Sequence, residues 1–159
     1  MDLILLRHGK AEDFNPAGDS ARALVEKGRE QSRKAARALK RAGWLPDIVL
    51  TSPLVRARQT AAEFCDTAGM PGPLVQPWLA CGMSPETAMK ELKGFSEFER
   101  VMIVGHEPDF SILAGSILGS AGGDIRIKKG SISCFRVRPP SRHGSLLFLV
   151  PPKLADDVD

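Results

Sequence analysis

Three polar strings stand out, because each begins where a short apolar run stops. Arg7-His8-Gly9 follows Leu3-Ile4-Leu5-Leu6, a string from Ser52 to Thr60 follows Asp47-Ile48-Val49-Leu50, and Gly105-His106-Glu107-Pro108 follows Val101-Met102-Ile103-Val104. Between them they carry two histidines and three arginines, Arg7, Arg56 and Arg58. Imidazole can act as a nucleophile or a base near neutral pH, and guanidinium offers a fork of donors that matches an oxyanion. Brought into one space, such groups repel unless an anion sits among them. Two unit charges 4 Å apart cost about 4 kcal/mol at an effective dielectric of 20. Phosphate is the natural guest, and carboxylate or sulfate could use the same donors. Ser52 and Pro53 read as the cap and first residue of a helix, whose N-terminus would add backbone N–H groups and a favourable dipole.

The elements that must position these groups follow from hydrophobic patterning. The three apolar runs are apolar on consecutive residues, as strands buried on both faces require, and they alternate with helical patterns. Helices are expected over 26–42, from Ser52 to about Thr67, over 86–92 and over 108–118. The first would turn Leu24, Ala35, Leu39 and Ala42 inward and Arg33, Arg37 and Arg41 outward, with Gly43 stopping it. Ser131 to Val137 and Ser145 to Val150 read as a hairpin around the Pro139 to Gly144 loop, and residues 119–124 as a flexible loop. The pattern predicts an α/β fold, a three-layer α/β/α sandwich on a mostly parallel sheet with one antiparallel strand. In such a sheet the carboxyl ends of the strands share one edge, and ligands bind there. His8, His106 and the arginines would then converge.

Composition narrows the function. A chain of 159 residues, 43% hydrophobic, builds one core, so residues 1–152 are expected to form a single domain with 153–159 as a flexible acidic tail. Lys+Arg 22 against Asp+Glu 19 gives a net charge of +3, too mild for a nucleic-acid binder. The N-terminal apolar run is cut by Arg7 and is too short for a signal peptide or membrane span, so the reading is cytoplasmic, with no membrane partner. Cys65, Cys81 and Cys134 form no C-x-x-C pair and read as reduced thiols packed as small hydrophobes, not as disulfides or zinc ligands. No metal and no cofactor is expected, since two histidines among arginines make a poor cation site.

Familiar phosphoryl-transfer engines are missing. The residues six positions after the cysteines are Pro71, Thr87 and Pro140, where a cysteine-dependent phosphatase needs arginine. Asp-x-Asp spacing occurs only at Asp157 and Asp159, and neither G-x-x-x-x-G-K-[ST] nor G-x-G-x-x-G is present. Histidine is the remaining nucleophile, able to form a phosphohistidine intermediate.

Taken in order, Leu3 to Gly9, Glu26-Lys27-Gly28-Arg29-Glu30-Gln31, Thr51 to Ala61 and Val104 to Pro108 resemble the histidine phosphatase superfamily, with its phosphoglycerate mutase-like fold, and within it the small SixA-type phosphohistidine phosphatases. The resemblance implies that His8 is the phosphorylated nucleophile, Arg7 and Arg56 clamp the phosphoryl group, and His106 is the second histidine on its oxygens. Ser52 joins the phosphate-binding set, and Arg58 falls outside it. Larger members place a glutamate acid in an insertion after the second motif. Here Trp78 to Ser84 holds no carboxylate, which leaves Glu12, Asp13 and Glu107 as candidate acids near the rim.

An imidazole leaving group departs from its weak P–N bond with less help from an acid than an alkoxide needs. The short connection from Pro71 to Ser84 should also leave the pocket open to a protein. The leading expectation is therefore a metal-independent phosphohistidine phosphatase acting on a histidine-phosphorylated protein in signalling. The alternatives are a phosphomonoesterase for a small phosphorylated substrate and a non-catalytic phosphate-binding module. Arg7 and Arg56 should depress the pKa of both histidines by like-charge repulsion.

Overall fold

The apolar runs do become strands, and their mutual register is what assembles the site. In the computed structural model, which describes residues 1–121 and 123–155, β1 is Asp2–Arg7, β2 is Ile48–Thr51, β3 is Leu74–Val75, β4 is Arg100–Gly105, β5 is Ile132–Val137 and β6 is Gly144–Val150. They form one six-stranded sheet in the order β3-β2-β4-β1-β5-β6. β1, β2, β3 and β4 are parallel neighbours, and β5 pairs antiparallel with both β1 and β6. One strand, β5, thus runs against the rest, as expected.

Helices cover both faces. Side chains alternate across a strand, so Ile4 and Leu6 of β1 face α1 (Glu26–Ala42) and α2 (Val55–Ala68), meeting Ala35, Leu39, Ala61 and Phe64. Leu3 and Leu5 face the other way, toward α3 (Pro85–Leu92) and α4 (Asp109–Leu118), meeting Met89, Leu92, Phe110 and Leu113. This is a three-layer α/β/α sandwich. Among the described residues no helix is long and apolar enough to cross a membrane.

Two glycines set how closely α1 approaches the first strand. A Cβ on Gly9 would lie 2.4 Å from the Gly28 carbonyl oxygen, and one on Gly28 would lie 2.1 Å from the Lys10 carbonyl oxygen. Backbone meets backbone there, so the loop after β1 is seated on the first turn of α1.

Several expectations need correction. α2 begins at Val55, with Leu54 and not Ser52 as its N-cap, so Pro53 is not its first residue. Ser52 is still held to the sheet, its N–H donating to the Val104 carbonyl at 3.0 Å, and its hydroxyl is engaged elsewhere. Ala42 is exposed at the end of α1, which Gly43 terminates in the left-handed conformation. The edge strand β3 is two residues long and exposed on both faces, too short to leave a pattern. Cys65 and Cys134 are buried, and burial pushes their thiols up to about 11 and about 12. Cys81 is exposed instead of packed. Of the expected tail, residues 156–159 lie outside the described residues. Pro152–Leu154 form a 3-10 turn, and Ala155 is buried. The expected loop at 119–124 includes residue 122, which also lies outside them.

Candidate active site

The parallel registers bring the three polar strings side by side. Arg7 of β1 stands opposite Gly105 of β4, and Thr51 of β2 opposite Val104, so the next residues on each strand, His8, Ser52 and His106, leave the sheet together. The His8 N–H donates to the Gly105 carbonyl at 3.1 Å. The two imidazole rings end 5.3 Å apart between centroids, tilted by 53°. His8, His106 and Arg56 are 5%, 2% and 4% exposed, and Ser52 is wholly buried.

Hydrogen bonds fix how each ring presents itself. His8 Nδ1 lies 2.8 Å from the Gly9 carbonyl oxygen, which can only accept, so Nδ1 carries the proton and Nε2 keeps its lone pair. Gly9 is held in turn, donating its N–H to Thr60 Oγ1 at 3.1 Å while that hydroxyl donates to the Arg56 carbonyl. α2 thereby ties the nucleophile loop to the turn that carries Arg56. His106 Nε2 is 2.7 Å from Ser52 Oγ, which also accepts the Leu54 N–H. Ser52 is therefore a direct partner of His106.

Among the described residues, three buried nitrogens here have no partner: Arg7 Nε, Arg56 Nε and His106 Nδ1. Buried donors without acceptors are uncommon, and their clustering at one strand edge is what an anion site requires. The remaining donors hold the arginines in place. Arg7 Nη1 donates to the Ile127 carbonyl at 2.7 Å, and Arg56 donates from Nη1 to the Asp19 carbonyl at 2.9 Å and from Nη2 to Asp19 Oδ2 at 3.2 Å. Arg58 is exposed on the outside of α2.

Electrostatics follow. Burial, with charge repulsion from His106, Arg56 and Arg7 behind it, lowers His8 to about 3 against the pull of the Gly9 bond. Burial and then Arg56 lower His106 to about 4. The direction matches expectation, but desolvation outweighs like-charge repulsion as the cause. Both rings are neutral at pH 7.

Asp19 and Arg22 were not anticipated. Arg22 Nε donates to Asp19 Oδ1 at 2.9 Å, so one carboxylate bridges Arg22 and Arg56, and Arg22 adds to the positive field at His106. Together Arg22 and then Arg56 hold the Asp19 carboxyl below its ordinary value. No hydrophobic period marks this turn. The only sequence hint is an acid and a base three residues apart. Asp109 was also missed; its carboxylate accepts the Gly82 and Met83 N–H groups at 2.9 and 3.2 Å and holds the loop that brings Cys81 Sγ to 3.9 Å from Arg56 Nη2.

The candidate acids fare unequally. The Ala23 N–H and then Asn15 hold Glu12 below the usual carboxylate range, the wrong direction for a proton donor. Asp13 is exposed. Glu107 accepts the Ser111 N–H at 2.8 Å and bonds its hydroxyl, fixed on the first turn of α4. Arg56 is met from two sides, by Asp19 on the turn at 19–22 and by Cys81 in the 71–84 connection.

Comparison with known proteins identifies the family and the fold. Residues 3–77 match the model of the histidine phosphatase superfamily (branch 1). An uncharacterized protein of Picosynechococcus sp. is 34% identical over 140 residues, 83% of this chain and 82% of that one. The phosphohistidine phosphatase SixA of Escherichia coli (strain K12) is 38% identical over 71 residues, 45% of this chain and 44% of its own. The structure of the protein histidine phosphatase SixA complexed with tungstate superposes with a TM-score of 0.86 at 25% identity, covering 96% of this chain and 98% of that one. The chain belongs to the histidine phosphatase superfamily and has its phosphoglycerate mutase-like α/β fold. Family and site together define a phosphatase.

Proposed function

We propose that the chain hydrolyses the phosphoryl group of a phosphohistidine carried by another protein, using His8 as nucleophile and neither metal nor cofactor. The observation that carries this reading is the fixed tautomer of His8, a neutral ring with a free Nε2 lone pair beside Arg7, Arg56 and a second imidazole. In the first step a bond forms from His8 Nε2 to phosphorus while the P–N bond to the substrate imidazole breaks, and that imidazole takes a proton from solvent. In the second, water attacks phosphorus, the P–Nε2 bond breaks, and inorganic phosphate leaves with His8 restored. The partnerless N–H groups of Arg7 and Arg56 supply donors to the phosphoryl oxygens. His106, once protonated, donates from Nε2 to Ser52 and from Nδ1 to the phosphoryl group.

The leaving group is chosen on the acids. Glu12 is held ionised and Glu107 is engaged by Ser111, so neither of these two candidate acids is set up to protonate an alkoxide. An imidazole leaves without one. Likeness to the SixA phosphohistidine phosphatase and to a SixA structure holding tungstate, another oxyanion, supports the same choice. The test is rapid quenching during turnover of a phosphohistidine peptide, with sugar and aryl phosphates as rivals. Acid-labile phosphate on the wild-type protein, none on His8→Ala and a preference for the peptide are expected. A preference for esters, or labelling that survives His8→Ala, would overturn the proposal.

A further inference from the structure

A second cationic region adjoins the site and is not used by the chemistry above. A hollow of about 740 Å³ is lined by Arg7 at one end, by Lys27 and Lys34 of α1, by Lys128 and Lys129 before β5, and by Lys153 with its neighbours Pro151, Pro152 and Leu154. Its walls share backbone with the nucleophile loop. The Gly130 N–H donates to the Arg7 and His8 carbonyls at 3.0 and 3.2 Å, and the Lys10 N–H donates to Gln31 Oε1, on the opposite wall, at 2.9 Å.

Its charge is unbalanced. Glu30, the one acid in the lining, is engaged by Arg33 and Arg37, and among the described residues Lys27, Lys128, Lys129 and Lys153 form no ion pair with a carboxylate. Burial and then crowding by Arg7 and Arg22 lower Lys129, and the opposing pull of Asp13 does not cancel them. The hollow is within the size range that encloses a drug-sized ligand. Between the lysines its surface is apolar, with two prolines and Leu154, which is 74% exposed. An inorganic polyanion has nothing to place against such a surface, whereas an acidic polypeptide has both carboxylates and apolar stems.

We propose that this hollow docks an acidic stretch of the substrate protein that flanks its phosphorylated residue. The inference rests on the phosphoprotein reading above and adds where the rest of that protein is held. Complementary charge at a rim acts on encounter and orientation and leaves the chemical step alone. The hollow therefore contributes to KM and not to kcat.

The test is the double variant Lys27→Glu/Lys153→Glu, neither residue belonging to the catalytic machinery. Three substrates are compared: a phosphohistidine peptide with Asp and Glu flanks, one with Ser and Gln flanks, and free phosphohistidine. KM for the acidic peptide is expected to rise about tenfold or more with kcat unchanged, as reversal of two steering charges implies. The other two substrates should be unaffected, which also shows that the variant is folded. Fluorescence anisotropy with the unphosphorylated acidic peptide should show the same loss of binding. Unchanged KM and anisotropy for the acidic peptide, an equal change for all substrates, or weaker binding of tripolyphosphate alone would each overturn the docking proposal. Lysine-dependent binding of the unphosphorylated peptide by a wild-type protein that does not hydrolyse phosphohistidine would uphold docking and defeat the catalytic reading instead.

Discussion

The molecule holds two clusters of arginine, and they have opposite fates. On the outer face of α1, Arg29, Arg33 and Arg37 meet Glu26, Glu30 and Glu63 in a network that joins α1 to α2, with Arg29 on Glu63 at 2.8 Å and Arg37 on Glu30 at 2.7 Å. These cations are partly exposed, and carboxylates answer them. At the strand edge, Arg56 bonds the Asp19 carboxylate while Arg7 bonds the Ile127 carbonyl, and among the described residues each keeps a buried Nε without a partner beside two neutral histidines. The first cluster is a solvated surface of modest energetic weight. The second is incomplete until an anion arrives. Residue type alone does not separate the two; burial and the count of acceptors do.

That contrast can be broken or sharpened by mutation. His8→Ala should lower kcat by about 10⁴-fold or more in a phosphohistidine assay, since a covalent route is removed outright. Arg33→Ala should leave kcat/KM within about twofold in the same assay. Arg56→Ala should cost about 10²- to 10³-fold, the usual effect of removing one preorganised oxyanion donor. A loss as large for Arg33→Ala would erase the distinction between the clusters. Ser52→Ala removes one hydrogen bond from His106 and should lower kcat/KM by about five- to tenfold, with substrate ranking unchanged.

Acid stability separates the regions in another way. Both site histidines titrate below their ordinary value of 6.5, at about 3 and about 4, so between those values and 6.5 the unfolded chain binds more protons than the folded one. Their contribution is therefore complete above pH 6.5 and falls as the pH is lowered, by about 1.4 kcal/mol per pH unit for each ring. Urea unfolding from pH 7 to pH 4.5 should show this slope. His8→Asn should reduce it by about half, and Arg33→Ala should leave it unchanged. The smallest effect is a fraction of a proton taken up near pH 7 when phosphate binds, because the anion raises His106. Calorimetry in buffers of different ionisation enthalpy measures it, and no buffer dependence would contradict it.

How far the site was legible follows from the same physics. Consecutive apolar residues in Leu3 to Leu6 and Val101 to Val104 identify central parallel strands, and a histidine just past each places both at one edge. Register then does the rest, through pairs such as Arg7 with Gly105. The start of α2 was misread because Ser52 has the residue type of a cap, whereas its hydroxyl is committed to His106, 54 positions away. Asp19 and Arg22 lie on a turn without hydrophobic period, and their importance comes from a contact with Arg56 that no local pattern encodes. The direction of the histidine shifts was legible from neighbouring charges. Their main cause was not, because desolvation depends on how closely the chain packs around the rings.

The central claim is that two imidazoles and two guanidinium groups share one oxyanion. A crystal structure of the wild-type protein grown with tungstate tests it most directly. The account predicts one tungstate facing His8 Nε2, with donors from Arg7, Arg56 and His106 Nδ1 on its oxygens. Tungstate bound only among Lys27, Lys128 and Lys153, with the His8 and His106 rings untouched, would contradict it.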